Sequence, residues 1–257
     1  MDLATLIGIG MAFAGIFGAQ IMEGGSPSSI ILPAPLILVV LGTLGAAMAS
    51  GVLKDATGMV NQMKRAFTSK SGASGELVDA VVALAERARR EGLLALEDAA
   101  KGVNNPFLRR GLEMAIDGTD PEELGEILHG EIDAKRKADK SAAKIFTDMG
   151  GFAPTIGIIG TVMGLVHVLS SLSDPSKLGE LIAGAFVATL WGVMLANVVF
   201  LPLGNRLKRL SEIECEQMEL AVEGVMAIQA GANPRLVAQK LKSLLPPGEA
   251  DKKAKAA

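Results

Sequence analysis

Apolar and polar positions alternate along this chain in long blocks. Four stretches, residues 3–22, 30–53, 149–173 and 181–204, contain no Asp, Glu, Lys or Arg. Each reaches the roughly 20 apolar residues that carry a helix across ~30 Å of hydrocarbon, so four transmembrane helices are predicted. Between the second and third blocks the apolar positions thin to three-to-four spacing. There "SGELVDAVVALAERARREGLLALEDAAKG" opens on a small polar cap and an acidic first turn, which predicts a helix that Gly92 breaks or bends. Next, "TDPEELGEILHGEIDAKRKADKSAAKIFTDMGG" places Asp120 as cap, Pro121 at the first helical position and two glutamates at the positive end of the helix dipole. Gly125 and Gly130 only weaken that helix, so it is expected to run on into the third span as one long stalk. The fourth span is likewise expected to pass Gly204 and continue through "NRLKRLSEIECEQMELAVEGVMAIQAG", and Asn233 with Pro234 starts a short last helix. Beyond Pro246 and Pro247 the Lys/Ala-rich end is expected to be disordered. No strand pattern of any length occurs. The predicted fold is an all-α integral membrane protein with four transmembrane helices, a helical domain between spans 2 and 3, and a helical C-terminal tail. Its expected parts are 1–53, 54–148, 149–204 and 205–257.

Composition and charge agree with the membrane reading and orient it. Of 257 residues 49% are hydrophobic, only 4% are aromatic, there is no tyrosine, and the mean hydropathy is +0.38, a profile unusual for a water-soluble domain. Asp2 gives the first block the wrong leading charge for a secretion signal and no small-x-small cleavage site follows it, so it reads as a retained span. No Lys or Arg precedes Lys54, fifteen lie from Lys54 to Lys144, only Lys177 falls between spans 3 and 4, and nine follow from Arg206 onward. The positive-inside rule therefore places 54–148 and 205–257, and with them both termini, in the cytoplasm. A single cysteine, Cys215, makes no internal disulfide and reads as a bystander thiol in a reducing compartment.

The third and fourth spans carry the unusual chemistry. Gly157, Gly160, Thr161 and Gly164 fall at i, i+3, i+4 and i+7, one small face that admits close backbone approach. Gly184, Ala188, Gly192 and Ala196 repeat every fourth residue in the fourth span, with Ala185 and Thr189 beside them. Such faces serve ordinary helix packing or the lining of a pathway. Thr161 and Thr189 are the hydroxyls well inside these spans near the small faces; their ordinary role is a bond to the carbonyl one turn back. His167 lies toward the outer end of its span, and Trp191, mid-span, is suited to filling a gap between helices. The missing carboxylate is the sharper observation. Ion-coupled membrane proteins commonly carry an intramembrane acid, and this chain has none in its four blocks. If it moves ions, a partner supplies the acid, and the small-residue face is where that partner's helix is expected to lie. Two histidines, one cysteine and scattered acids form no nucleophile or metal-ligand constellation, and no GxxxxGK[ST] phosphate loop occurs, so neither enzyme chemistry nor a bound cofactor or metal is implied. Nothing in the charge pattern calls for nucleic acid.

The stretch "GGFAPTIGIIGTVMGLVHVLSSLSDPSKLGELIAGAFVATLWGVMLANVVFLPLGNRL", together with "ARREGLLALED" upstream, resembles the A subunit of the bacterial flagellar stator, the MotA/PomA family. The likeness runs from "MDLATLIG" to "AIQAGANPRLV" and is most specific in "GFAP...GIIGT...G" and "ATLWG...N..F.P". It implies a non-enzymatic, ion-driven unit of the bacterial inner membrane that generates torque for motility and chemotaxis. It also implies a homopentamer, embedded in lipid, around two MotB/PomB-type B subunits whose membrane helices bring the ion-binding aspartate. By this resemblance Pro154 and Pro202 are the family's proline pair and, with Trp191 where many members have tyrosine or phenylalanine, belong to gating and coupling. Thr161 and Thr189, with Gly157, Gly160 and Gly164, belong to the ion pathway. The driving ion is proton or sodium, and having both threonines leans toward sodium. Arg89, Arg90, Glu97 and Asp98 match the charges used against the rotor protein FliG, with Arg90 where lysine is frequent and Ala100 where some members carry an acid. The related ExbB/TolQ energisers are the nearest alternative, opposed by four spans rather than three and by the "ARREGLLALED" block. A self-contained ion channel is the other.

Overall fold

The computed structural model describes residues 3–51, 53–69, 74–173 and 175–245, and every element among them is helical. In chain order the α-helices are α1 (Leu3–Met22), α2 (Pro33–Ser50), α3 (Leu53–Thr68), α4 (Ser74–Glu91), α5 (Glu97–Lys101), α6 (Pro106–Ile116), α7 (Pro121–Ser170), α8 (Pro175–Met194), α9 (Leu201–Gln229) and α10 (Pro234–Ser243). Four of them are long and apolar enough to cross a membrane: α1, α2, α7 and the α8–α9 run. The all-α membrane class expected from the sequence is the class observed. The expected disordered end lies outside the described residues.

Local chemistry sets where the helices begin. Asp120 Oδ1 accepts from the Glu122 amide at 2.9 Å and Asn233 Oδ1 from the Arg235 amide at 3.0 Å, so both cap-then-proline signals act as predicted. A third such signal went unread: Asn105 Oδ1 accepts from Phe107 and Leu108, both at 3.0 Å, and starts α6 at Pro106. Residues 74–102 are not one bent helix. Gly92 takes φ +86°, a left-handed conformation that favours glycine; α4 ends there, and a 3₁₀ turn (Leu93–Leu96) leads into the five-residue α5. The stalk is continuous as expected, since α7 is one helix of 50 residues with Pro154 inside it. The carbonyl that the Pro154 ring opposes is that of Gly150, one turn back.

The fourth span holds a feature no sequence signal announced. Between α8 and α9, Leu195–Phe200 winds as a π-helix, and the Leu201 amide donates to the Ala196 carbonyl five residues back. The wider turn comes just before Pro202, which has no amide to continue the ladder.

The chain divides into two compact units. The first, residues 1–70 and 139–210, holds α1 to α3, the later part of α7, α8 and the start of α9. Its buried clusters are Ala47, Ala66, Phe146, Met149, Leu203 and Leu207, and Val39, Ala153, Val187 and Trp191 with their neighbours. Large apolar side chains nonetheless stay uncovered on its helices, among them Ile7, Met11, Leu41, Val162, Val166 and Phe186. A lipid environment removes the penalty that water would exact for such faces. The second unit, residues 71–138 and 211–257, has an ordinary core built by Val78 and Val81 of α4, Leu108 and Leu112 of α6, Leu124 and Leu128 of α7, Val225 and Ile228 of α9, and Leu241 of α10. Cys215 is buried in that core as a free thiol.

A threonine pair in an acid-free helical seam

The small faces of α7 and α8 are pressed together. A Cβ added at Gly157 would lie 2.8 Å from the Ala188 carbonyl oxygen, and one at Gly192 would lie 2.5 Å from that of Ala153. At Gly160 it would meet the Ala188 Cβ at 2.6 Å, and at Gly164 the Ala185 Cβ at 2.6 Å. At Gly157 and Gly192 backbone faces backbone, and at Gly160 and Gly164 alanine methyls leave no room for a side chain. The fourth span is thus the packing partner of this strip, as the matching small residues of the two spans suggested, and Leu38 of α2 approaches it at Gly160. What stays open on either side is apolar and bulky, Ile158, Val162 and Leu165 on α7 and Phe186, Leu190 and Val193 on α8.

At the edge of the seam the two threonines meet. Thr161 Oγ1 and Thr189 Oγ1 are 2.5 Å apart, both half-buried. Thr161 Oγ1 also lies 3.0 Å from the Ala185 carbonyl and 3.3 Å from that of Gly157, which Thr189 Oγ1 reaches at 3.3 Å as well. The bond one turn back exists, yet the shorter contacts cross between helices. Four oxygens thus share two hydroxyl protons, so lone pairs are left over within a water-poor wall. Such a cluster can accept a hydrogen bond from a protonated group or replace part of a cation's water shell.

Other predicted residues fall around this pair. Pro154 follows Ala153, whose carbonyl faces Gly192, and Pro202 follows the π-turn; both prolines are half-buried. Trp191 is buried as its gap-filling role requires, and its Nε1–H donates to the Ile30 carbonyl at 2.5 Å, a tie between α8 and the residues just before α2. A tyrosine or phenylalanine would not reach in the same way. His167 is exposed near the end of α7. Below the spans Arg65 of α3 donates to both oxygens of Asp139 on α7, at 2.5 and 3.1 Å, a largely buried bidentate pair that only a three-dimensional structure reveals.

The charged residues of "ARREGLLALED" lie in the second unit. Arg89 and Arg90 end α4 exposed and, among the described residues, have no ion-pair partner. Glu97 and Asp98 are also exposed, but Lys101 sits 3.6 and 3.1 Å from them, and the hydrogen bond to Asp98 holds its ammonium above the usual lysine range. The basic pair is thus uncompensated and the acidic pair partly satisfied. Ala100 is buried, so an acid there would enter the core. Between the two pairs Leu94 stands 76% exposed, a feature that a run of leucines hid in the sequence. Among the described residues no group of His, Cys, Asp or Glu is arranged to hold a metal ion.

Span length, composition and packing define the class: a multi-pass helical membrane protein with a close glycine–alanine seam that carries a pair of hydroxyls at its edge. The model of the MotA/TolQ/ExbB proton channel family matches residues 99–220. Motility protein A of Bacillus subtilis is 36% identical over 247 residues, covering 96% of this chain and 92% of that protein. Chemotaxis protein PomA of Vibrio alginolyticus is 32% identical over 249 residues, covering 97% of each. Among solved structures, that of Campylobacter jejuni MotAB ("C. jejuni MotAB") superposes with a TM-score of 0.92 at 31% identity over 96% of this chain and 97% of that one. The flagellar MotAB stator complex of Bacillus subtilis gives 0.89 at 35% identity over 98% of each. The chain belongs to the MotA/TolQ/ExbB family and, within it, to the motility protein A group of flagellar stator subunits, multi-pass proteins of the bacterial inner membrane.

Proposed function

We propose that this chain is the ion-guiding, torque-transmitting A subunit of a flagellar stator, acting without enzymatic chemistry or a bound cofactor, with five copies embedded in lipid around a dimer of MotB/PomB-type B subunits. Both termini and the charged second unit face the cytoplasm, which the distribution of lysine and arginine supports. The observation that carries the reading is the hydroxyl pair Thr161–Thr189, set in the uncharged stretches 149–173 and 181–204, which bring no acid to it. The B subunit's helix brings a carboxylate against the open apolar stripes beside the pair, not into the glycine strip. The ion then sits between that carboxylate and the threonine oxygens. Gly157, Gly160 and Gly164 serve by holding α7 and α8 close enough for the hydroxyls to meet. A membrane potential gives about 2.3 kcal/mol per charge per 100 mV, so each passage drives a modest step. Pro154, Pro202 and Trp191, near the two weakened points of the helices, carry that step toward Arg89, Arg90, Glu97 and Asp98, which push on the rotor protein FliG.

The lean toward sodium as the driving ion is supported by the threonine and carbonyl oxygens, which can stand in for part of a cation's hydration shell. The test is swimming speed in a stator-deleted host carrying this chain and its B subunit, while sodium is varied at constant proton-motive force. Speed that rises and saturates with sodium supports the sodium form, and indifference to sodium assigns the proton. Copurification with a TonB-type partner instead of a peptidoglycan-binding B subunit would reject the stator assignment.

A further inference from the structure

A cavity of about 490 Å³ opens beside the seam. Gly160, Gly164 and His167 of α7 and Glu180, Ala185 and Ala188 of α8 line it, and Leu32 with Pro33, Ala34, Pro35 and Leu38 at the start of α2 forms another wall of what is an open groove. It has room for on the order of ten waters. Its two ends differ in chemistry. The floor carries nothing larger than a methyl group, because it is the glycine–alanine seam itself. Glu180 and His167 are the titratable groups on the wall, and Leu32 with the α2 residues Pro33, Ala34, Pro35 and Leu38 adds none. One residue separates cavity from site: Ala185 lines the floor, and its carbonyl accepts from Thr161 Oγ1 at 3.0 Å. An acid near the end of a span is costly in hydrocarbon, and Glu180, exposed on the wall of this groove, is placed where water would relieve that cost.

Resting on the stator reading above, we propose that this cavity is a hydrated outer vestibule through which the driving cation reaches the threonine pair, with the Glu180 carboxylate as its attracting group. A carboxylate within low-dielectric walls concentrates cations at the mouth and speeds their arrival, and inert salt weakens the effect. Glu180 does not hold the ion during the working step; it sets how much external ion is needed to load the site.

The experiment uses the full chain with its B subunit in a stator-deleted host. External sodium is titrated at fixed proton-motive force, and external pH is titrated at fixed sodium. Glu180→Gln is expected to raise the half-saturating concentration of the driving ion roughly three- to tenfold, with Glu180→Asp restoring most of it. Thr161→Ala with Thr189→Ala instead lowers the speed at saturation. Independently, Met163→Cys and His167→Cys are treated from outside with a membrane-impermeant cationic thiol reagent. Both are expected to react, more slowly when Glu180→Gln is added, because thiolate forms only in contact with water. The native Cys215 is buried. An unchanged half-saturation in Glu180→Gln, or cysteines that stay unreactive as in a cavity filled by lipid, overturns the vestibule and leaves the stator reading standing. Failure of the unaltered chain to support swimming with its B subunit overturns the stator reading itself.

Discussion

Two hydroxyl protons shared among four oxygens make the Thr161–Thr189 pair adaptable: it can donate, accept or ligate without moving a helix. Each interhelical hydrogen bond in a membrane contributes about 1 kcal/mol, too little for its loss to unfold a bundle. Thr161→Ala with Thr189→Ala is therefore expected to leave membrane levels near normal while cutting ion-dependent swimming about tenfold for every 1.4 kcal/mol of lost stabilisation along the ion's path. Quantitative blotting beside speed measurements checks this; loss of protein in proportion to loss of speed would reduce the pair to packing. At the charged rim, Leu94 between uncompensated Arg89 and Arg90 and the partly satisfied Glu97 and Asp98 has the exposure of an anchor. Leu94→Ala is expected to weaken rotor binding by about 1–2 kcal/mol with no change in thermal stability, measured by pull-down of FliG and by melting. The sequence displayed the spacing of the threonines and the identity of the charges. It could not display that the hydroxyls bond across helices or that Leu94 is bare, since both depend on how faces meet.

At the scale of elements the seam is the rigid part. Gly192 faces the Ala153 carbonyl and Gly157 the Ala188 carbonyl, so a side chain at either has backbone, not a flexible side chain, to displace. Gly192→Leu is expected to destabilise the first unit by about 1–3 kcal/mol or more and to lower membrane levels. Gly179→Leu, where nothing lies within 4 Å of an added Cβ, is expected to be tolerated. Equal levels of the two variants would contradict the packing described. The α3–α7 clasp is the second constraint. Arg65→Met removes a bidentate partner from Asp139 and is expected to lower stability by about 1.5–3 kcal/mol, with partial recovery in the charge-swapped pair Arg65→Asp, Asp139→Arg. Melting in detergent reads both. Span positions were legible because charge is absent from them, and two helix starts because cap and proline are adjacent in the chain. The π-turn at Leu195–Phe200 was not legible, since its residues are ordinary span formers and only the amide-to-carbonyl pairing of Leu201 with Ala196 reveals the extra residue.

For the whole molecule, separation of labour explains the composition. The helices supply a close-packed, hydroxyl-bearing wall and a charged unit, and in the proposed stator the ion-binding acid comes from the B subunit. On that proposal an embedded carboxylate of this chain's own would fix the ion to one place, whereas an acid on a central partner lets each copy present the same wall in turn. The packing of the glycine strip of α7 against the small residues of α8 was legible from their matching four-residue spacing, whereas the hydrogen bonds that cross the seam were not. The most direct measurement is ion flux into liposomes holding the purified chain alone and the chain with its B subunit. The account predicts flux near background for the chain alone and a large increase with the B subunit, abolished when the B subunit's membrane aspartate is replaced by asparagine. Sustained flux from the chain alone, or flux indifferent to that aspartate, would contradict it.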